Sequence, residues 1–148
     1  METGQQFPRF FGVSHEGQNI DIYDYKKGKN LVLFFFPRAT TAGCVRETTE
    51  FAARMDEFTD RNTEILGLSV DDSELQKTHA IQCAASFPIL SDRGGKLIAE
   101  LGIANERGSA KRTTYIVDAQ RNIKRVFTEV KVDGHVDEVL EAVKGLSK

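Results

Sequence analysis

The chain has 148 residues, 40% of them hydrophobic and 28% charged, which fits one soluble domain able to bury a core without disulfide staples. The formal net charge of −2, from 20 Lys and Arg against 22 Asp and Glu, leaves no electrostatic footprint for nucleic acid or an acidic membrane surface. With 3 Pro and 12 Gly the chain is neither collagen-like nor Pro/Gly-rich and disordered, and 2 Cys with 3 scattered His make a zinc site unexpected.

The opening residues Met1-Glu2-Thr3-Gly4-Gln5-Gln6 carry no basic region and no apolar stretch, so no secretory signal is read and a cytoplasmic location is expected. Two cysteines without a signal argue against a structural disulfide framework. Short strands are expected near Arg9–Val13 and Asn19–Tyr23, separated by a turn at Gly17-Gln18-Asn19. After the turn Lys27-Gly28-Lys29-Asn30 comes Leu31-Val32-Leu33-Phe34-Phe35-Phe36. A run that short, apolar and rich in aromatics fits a strand buried on both faces. Even extended to Pro37, it is far too short to span a bilayer.

Pro37 ends the strand, and the polar segment Arg38 to Gly43 follows. Phe51, Ala52, Met55 and Phe58 form a one-sided helical stripe, with Thr40 or Thr41 able to cap its start and Cys44 in the first turn. Glu64–Val70 reads as a strand, and Asp72 or Ser73 caps a helix running to about Ala85. Phe87–Leu90 is a short strand and Lys96–Leu101 a short helix. Thr113–Val117 and Asn122–Thr128 form a hairpin, and Gly134–Leu146 is a terminal helix with Val136, Val139, Leu140 and Val143 on one side. Strands alternating with helices in this way argue a three-layer α/β sandwich around a mixed central sheet, one domain over 1–148.

The chemistry centres on Pro37, Thr41 and Cys44, directly after a buried strand and at the start of a helix. At a helix N-terminus the unpaired backbone N–H groups and the macrodipole favour a negative sulfur, and a nearby arginine adds to this. Thr41, one turn back, can hydrogen-bond to the sulfur or to a substrate oxygen. Pro37 brings an apolar ring with no donor and limits water.

The segment Phe36-Pro37-Arg38-Ala39-Thr40-Thr41-Ala42-Gly43-Cys44 resembles the peroxiredoxin active-site loop, Pro-x-x-x-Thr-x-x-Cys, and is most similar to the bacterioferritin-comigratory or Q-type branch. The resemblance extends through Val70-Asp71-Asp72-Ser73, Phe87-Pro88-Ile89-Leu90-Ser91-Asp92 and Arg112-Thr113-Thr114-Tyr115-Ile116-Val117-Asp118, almost the whole chain. It implies a thioredoxin-like fold with an N-terminal strand extension, and hydroperoxide reduction without metal or organic cofactor. Cys44 then matches the peroxidatic cysteine, Thr41 the peroxide-polarising threonine, Pro37 the shielding proline and Arg112 the distal arginine. Glu47 matches a recurrent acidic residue that partners the active-site arginine. The implied partners are a hydroperoxide substrate and thioredoxin or glutaredoxin as reductant, with a monomer expected and no nucleic acid or membrane partner.

Two positions depart from the family pattern. Ala42 replaces a common proline, and Thr49 stands where many members of the branch carry a resolving cysteine. Cys83 is the remaining thiol. Leu75, His79 and Cys83 recur every four positions on one helix face, so Cys83 is open between a buried core thiol and a resolving thiol. Some members of the branch carry a resolving cysteine on this helix, about one turn earlier. His79 reads as a packing residue, His15 and His135 as loop residues, and Asp71-Asp72 as a strand-end turn and helix cap. Three alternatives stand beside an intramolecular two-cysteine peroxidase: a one-cysteine peroxidase resolved by an external thiol, a non-catalytic binding module of the same fold, and a disulfide reductase or copper chaperone. The last would need a second thiol two to four residues from Cys44, and there is none.

Overall fold

The computed structural model describes residues 2–146. In chain order it comprises β1 (Phe11–Ser14), β2 (Asn19–Asp21), β3 (Asn30–Phe35), α1 (Ala42–Ala53), α2 (Met55–Thr59), β4 (Thr63–Ser69), α3 (Ser73–Cys83), β5 (Ile89–Ser91), α4 (Lys96–Leu101), β6 (Thr113–Val117), β7 (Ile123–Phe127) and α5 (His135–Leu146). The strands form one seven-stranded sheet in the order β2-β1-β5-β4-β3-β6-β7. β3, β4 and β5 are parallel, and the flanking pairs are antiparallel. Parallel neighbours need crossovers, which α1–α2 and α3 supply.

The period-2 rule explains why β3 is apolar throughout. Leu31, Leu33 and Phe35 join a core with Phe7, Ile22, Leu97 and Tyr115 on one face of the sheet. Val32, Phe34 and Phe36 join Phe51, Phe58, Phe87 and the Val136, Val139, Leu140 and Val143 side of α5 on the other. The three-layer mixed-sheet expectation therefore holds, and most strand and helix limits fall within two residues of those read from sequence.

The continuous stripe from Phe51 to Phe58 is corrected. The helix breaks at Arg54, whose φ of −112° and ψ of 13° leave helical geometry. Phe51 and Phe58 are both buried with ring centroids 5.9 Å apart, while Ala52 and Met55 are half-buried. Across the break, Phe58 still joins the core that Phe51 joins. Arg54 itself bridges Glu57 and Asp137 on the surface.

Arg121, in the β6–β7 turn, is a buried cation that no local pattern marks. Its guanidinium donates to the carbonyls of Ile22 at 2.8 Å, Tyr25 at 2.6 Å and Lys29 at 2.6 Å. Those carbonyls belong to the turn segment between β2 and β3, which has no ladder to satisfy them. A buried arginine is tolerable because its planar fork matches several acceptors at once. Arg121→Met keeps the stem but removes the donors. It should lower the free energy of unfolding by about 2–4 kcal/mol in urea titrations, because buried carbonyls lose their partners. A change under about 0.5 kcal/mol would show that water replaces the guanidinium at no cost.

Candidate active site

The loop after β3 starts where the strand's ladder ends, at Phe36, whose N–H still donates to Leu68 O at 3.0 Å. Pro37, half-buried, has no N–H to continue the pairing. The next amides are held by side chains of the neighbouring crossover. Ala39 N–H donates to Asp71 Oδ2 at 2.7 Å, and Thr40 N–H donates to His79 Nδ1 at 2.8 Å. Thr40 has a φ of +67°, after which the chain enters α1 with Thr41 as its N-cap residue.

The capping expectation is corrected in one respect. Thr41 occupies the N-cap, but its side chain caps nothing. Its hydroxyl donates to Arg38 O at 2.8 Å. The proton is thus committed backwards into the loop, and what Thr41 offers outward is lone pairs. The first-turn amides of α1 also lack a side-chain cap and remain suited to an anion.

Cys44 lies in that first turn, 1% exposed. Glu47 is three residues on, one turn along the same helix face, and fully buried. Arg112 immediately precedes β6, and β6 is antiparallel to β3 with Thr113 opposite Phe35. The start of β6 therefore lies beside the end of β3, where the loop and α1 begin. The guanidinium reaches across this junction. Nη2 donates to Cys44 Sγ at 3.2 Å, and Nη1 donates to Glu47 Oε1 at 2.5 Å. The structure thus brings Thr41, Cys44, Glu47 and Arg112 to one end of the sheet.

Burial pushes the Glu47 carboxyl up to about 7, and the Arg112 charge opposes this only in part. Its Oε2 has no hydrogen-bond partner. Arg112 is held charged: burial opposes the charge, and the attraction of Glu47 and Cys44 outweighs it.

His135, expected in a loop, is corrected. It is the first residue of α5, 1% exposed, with Nε2 2.8 Å from Thr114 Oγ1 and 4.0 Å from Glu47 Oε2. Burial pushes its imidazole down, toward the neutral form. No local pattern marks it, because its partners come from β6 and α1. His15 is a turn residue, as expected, accepting from Ile89 N–H at 3.1 Å. His79 packs as expected, its ring stacked on Phe36 with centroids 4.9 Å apart, and it also binds the loop. Asp72 caps α3 by accepting from Leu75 N–H at 2.9 Å, as expected, whereas Asp71 belongs to the active-site loop's support.

Cys83 is the last residue of α3. Its thiol is buried and donates to Val45 O on α1 at 3.5 Å. Burial pushes the thiol up; Thr49 opposes this and the Cys44 sulfur adds to it. Both cysteines are free.

A family model described as the AhpC/TSA family matches residues 3–126. The chain belongs to the AhpC/TSA family. The putative peroxiredoxin bcp of Helicobacter pylori strain J99 is 31% identical across 97% of this chain and 98% of its own length. The putative peroxiredoxin bcp of Coxiella burnetii is 29% identical across 95% and 97%. The crystal structure of peroxidoxin BcpB from Mycobacterium tuberculosis matches with a TM-score of 0.92 and 29% identity, covering 98% of this chain and 97% of that one. The expected thioredoxin-like fold, the likeness to the bacterioferritin-comigratory branch and the assignment as a thiol peroxidase are borne out. No helix among the described residues is long and apolar enough to cross a membrane.

A carboxyl raised in the folded state binds its proton more tightly there than in the unfolded chain. The stability this gives is full below about pH 4.5 and is lost as pH rises through about 7. Glu47→Gln keeps the acceptor for Arg112 and cannot ionise. Between pH 5 and pH 8 the wild type should lose about 1–3 kcal/mol relative to the variant in denaturant titrations. Parallel profiles would mean that Arg112 compensates the buried charge in full.

Proposed function

We propose that this AhpC/TSA-family chain reduces hydrogen peroxide and organic hydroperoxides at Cys44, with Cys83 as the resolving thiol and thioredoxin or glutaredoxin as the reductant. The observation that carries the first step is the single guanidinium shared by the Cys44 sulfur and Glu47. The guanidinium is a donor in direct contact with the sulfur, and in thiol chemistry the thiolate is the nucleophile.

The Cys44 thiolate attacks the terminal oxygen of the peroxide. An S–O bond forms, the O–O bond breaks, and the sulfur is oxidised by two electrons to the sulfenic acid. The other oxygen leaves as water or an alcohol after taking up a proton. Arg112 and the uncapped first-turn amides offer donors where charge spreads over the two oxygens. Thr41, its own proton given to Arg38 O, accepts the peroxide's O–H and orients it. Pro37 shields the loop with an apolar ring.

In the second step the Cys83 sulfur attacks the Cys44 sulfenic acid, an S–S bond forms and water leaves. The dithiol reductant then returns both cysteines to thiols and is itself oxidised to a disulfide. Two observations support Cys83 in this role. Its sulfur contacts the carbonyl of Val45, the residue next to Cys44. It also ends α3, followed by Ala84 in the left-handed conformation at φ 54°, so fraying of a single turn frees it. Its burial and raised thiol favour the external-thiol reading instead, and the test separates the two.

Cys44→Ser should abolish peroxide consumption, a loss of at least about a thousandfold in the thiol-dependent rate. One equivalent of hydrogen peroxide given to the reduced wild type should remove both thiols, and peptide mapping should recover Cys44 linked to Cys83. A Cys44 oxidised alone, with Cys83 free, would refute the resolving role and leave an external thiol. Unreduced consumption in Cys44→Ser would refute the peroxidatic assignment.

A further inference from the structure

His79 touches the loop after β3 at both ends. Its ring stacks on Phe36, just before Pro37, at 4.9 Å between centroids and 15° between planes. Its Nδ1 accepts the Thr40 amide at 2.8 Å, just before Thr41. Its Nε2 lies 2.8 Å from Thr48 Oγ1 on α1.

A backbone amide can only donate, so Nδ1 carries no proton. The neutral ring therefore holds its proton on Nε2 and donates it to the Thr48 hydroxyl oxygen. Burial favours this neutral form, pushing the imidazole down to about 4. The ring is thus fixed in one tautomer and one orientation by contacts on two elements.

The residue it holds is strained. Thr40 has a φ of +67°, a conformation that a β-branched side chain resists. Such a backbone persists only when its surroundings over-determine it, and it then marks a site where geometry matters. The Ala39 amide, bound to Asp71 Oδ2, fixes the turn from one side. His79 fixes it at the strained residue itself. The next residue is Thr41, whose hydroxyl direction depends on this turn.

We propose that His79 is a positioning residue for peroxide reduction: by accepting the Thr40 amide at Nδ1, it holds the strained turn that sets the Thr41 hydroxyl at the start of α1. The inference rests on the reading of Cys44 as the peroxidatic cysteine. It predicts an effect on reaction with peroxide and none on the bare nucleophilicity of the sulfur.

The test uses the full chain with three variants. His79→Phe keeps a ring for stacking on Phe36 and removes both nitrogens. His79→Asn places an amide oxygen where Nδ1 stands, and His79→Gln places it nearer Nε2. Three readouts are taken: the second-order rate with hydrogen peroxide by peroxidase competition, the rate of Cys44 alkylation by iodoacetamide from peptide mass spectrometry, and hydrogen exchange at the Thr40 amide. The expected result is a peroxide rate lowered about tenfold in His79→Phe and His79→Gln. His79→Asn should stay within about threefold of wild type. Thr40 exchange should quicken in the two slow variants only, with alkylation unchanged in all three. Where His79→Phe does not fold, the Asn and Gln pair decides alone. Equal peroxide rates across the variants would overturn the proposal, and so would a fall in His79→Asn matching that in His79→Gln, which would mean lost packing. A wild type with no peroxide reactivity would instead overturn the reading of Cys44.

Discussion

The guanidinium of Arg112 connects the chemistry to the fold. One nitrogen meets the sulfur of Cys44 and the other the carboxyl of Glu47, and both acceptors lie on one face of α1 a turn apart. This contact requires that the start of β6 lie beside the end of β3, which the antiparallel register of Thr113 with Phe35 enforces. It also requires that α1 begin at that same sheet end, which the loop supports at Asp71 and His79 enforce. Slide the β3–β6 register by two residues and the arginine moves by roughly 7 Å, out of reach of the sulfur. The sheet is thus the ruler against which the site is measured.

Around this contact the protein buries polar groups that solvent would otherwise stabilise. Glu47 is fully buried beside one cation and has one oxygen without a partner. His79 and His135 are held toward their neutral forms by burial. Each imidazole is tied to a threonine hydroxyl on another element, Thr48 and Thr114. The arrangement leaves Arg112 as the charged donor next to the sulfur. The two histidines make their hydrogen bonds to Thr40, Thr48 and Thr114, not to the sulfur.

Thr41 illustrates how a small geometric fact changes a mechanism. A threonine at a helix start is expected to cap it, using its oxygen on an N–H of the first turn. Here the hydroxyl turns back to Arg38 O, which leaves those amides open. A helix end that gives up its cap loses stability of about 1 kcal/mol. In this chain that loss accompanies a first turn able to receive an oxyanion. The strained backbone at Thr40 belongs to the same local compromise.

Much of this was legible in the sequence. The six-residue apolar run, the stripes of the helices and the spacing of Pro37, Thr41 and Cys44 follow from local rules of periodicity and termination. Glu47 was legible through the family resemblance, and its seat one helical turn after Cys44 agrees with it. Arg112 was legible only through the family resemblance, since no local rule links it to residues far earlier in the chain. Other features had no sequence signal. The break at Arg54, the burial of Arg121 among carbonyls of the β2–β3 segment, the seating of His135 beside Glu47 and the grip of His79 on Thr40 each depend on partners from distant segments. Periodicity reports which face of an element is apolar. It does not report which polar atom on a neighbouring element will meet that face. Hydrogen-bond pairing across elements is decided when the layers pack, and that pairing sets the direction of a hydroxyl, the tautomer of a buried imidazole and the charge of a buried carboxyl. Local sequence rules were enough for the scaffold and for the place of Cys44 at a helix start; the groups around its sulfur were decided by tertiary packing.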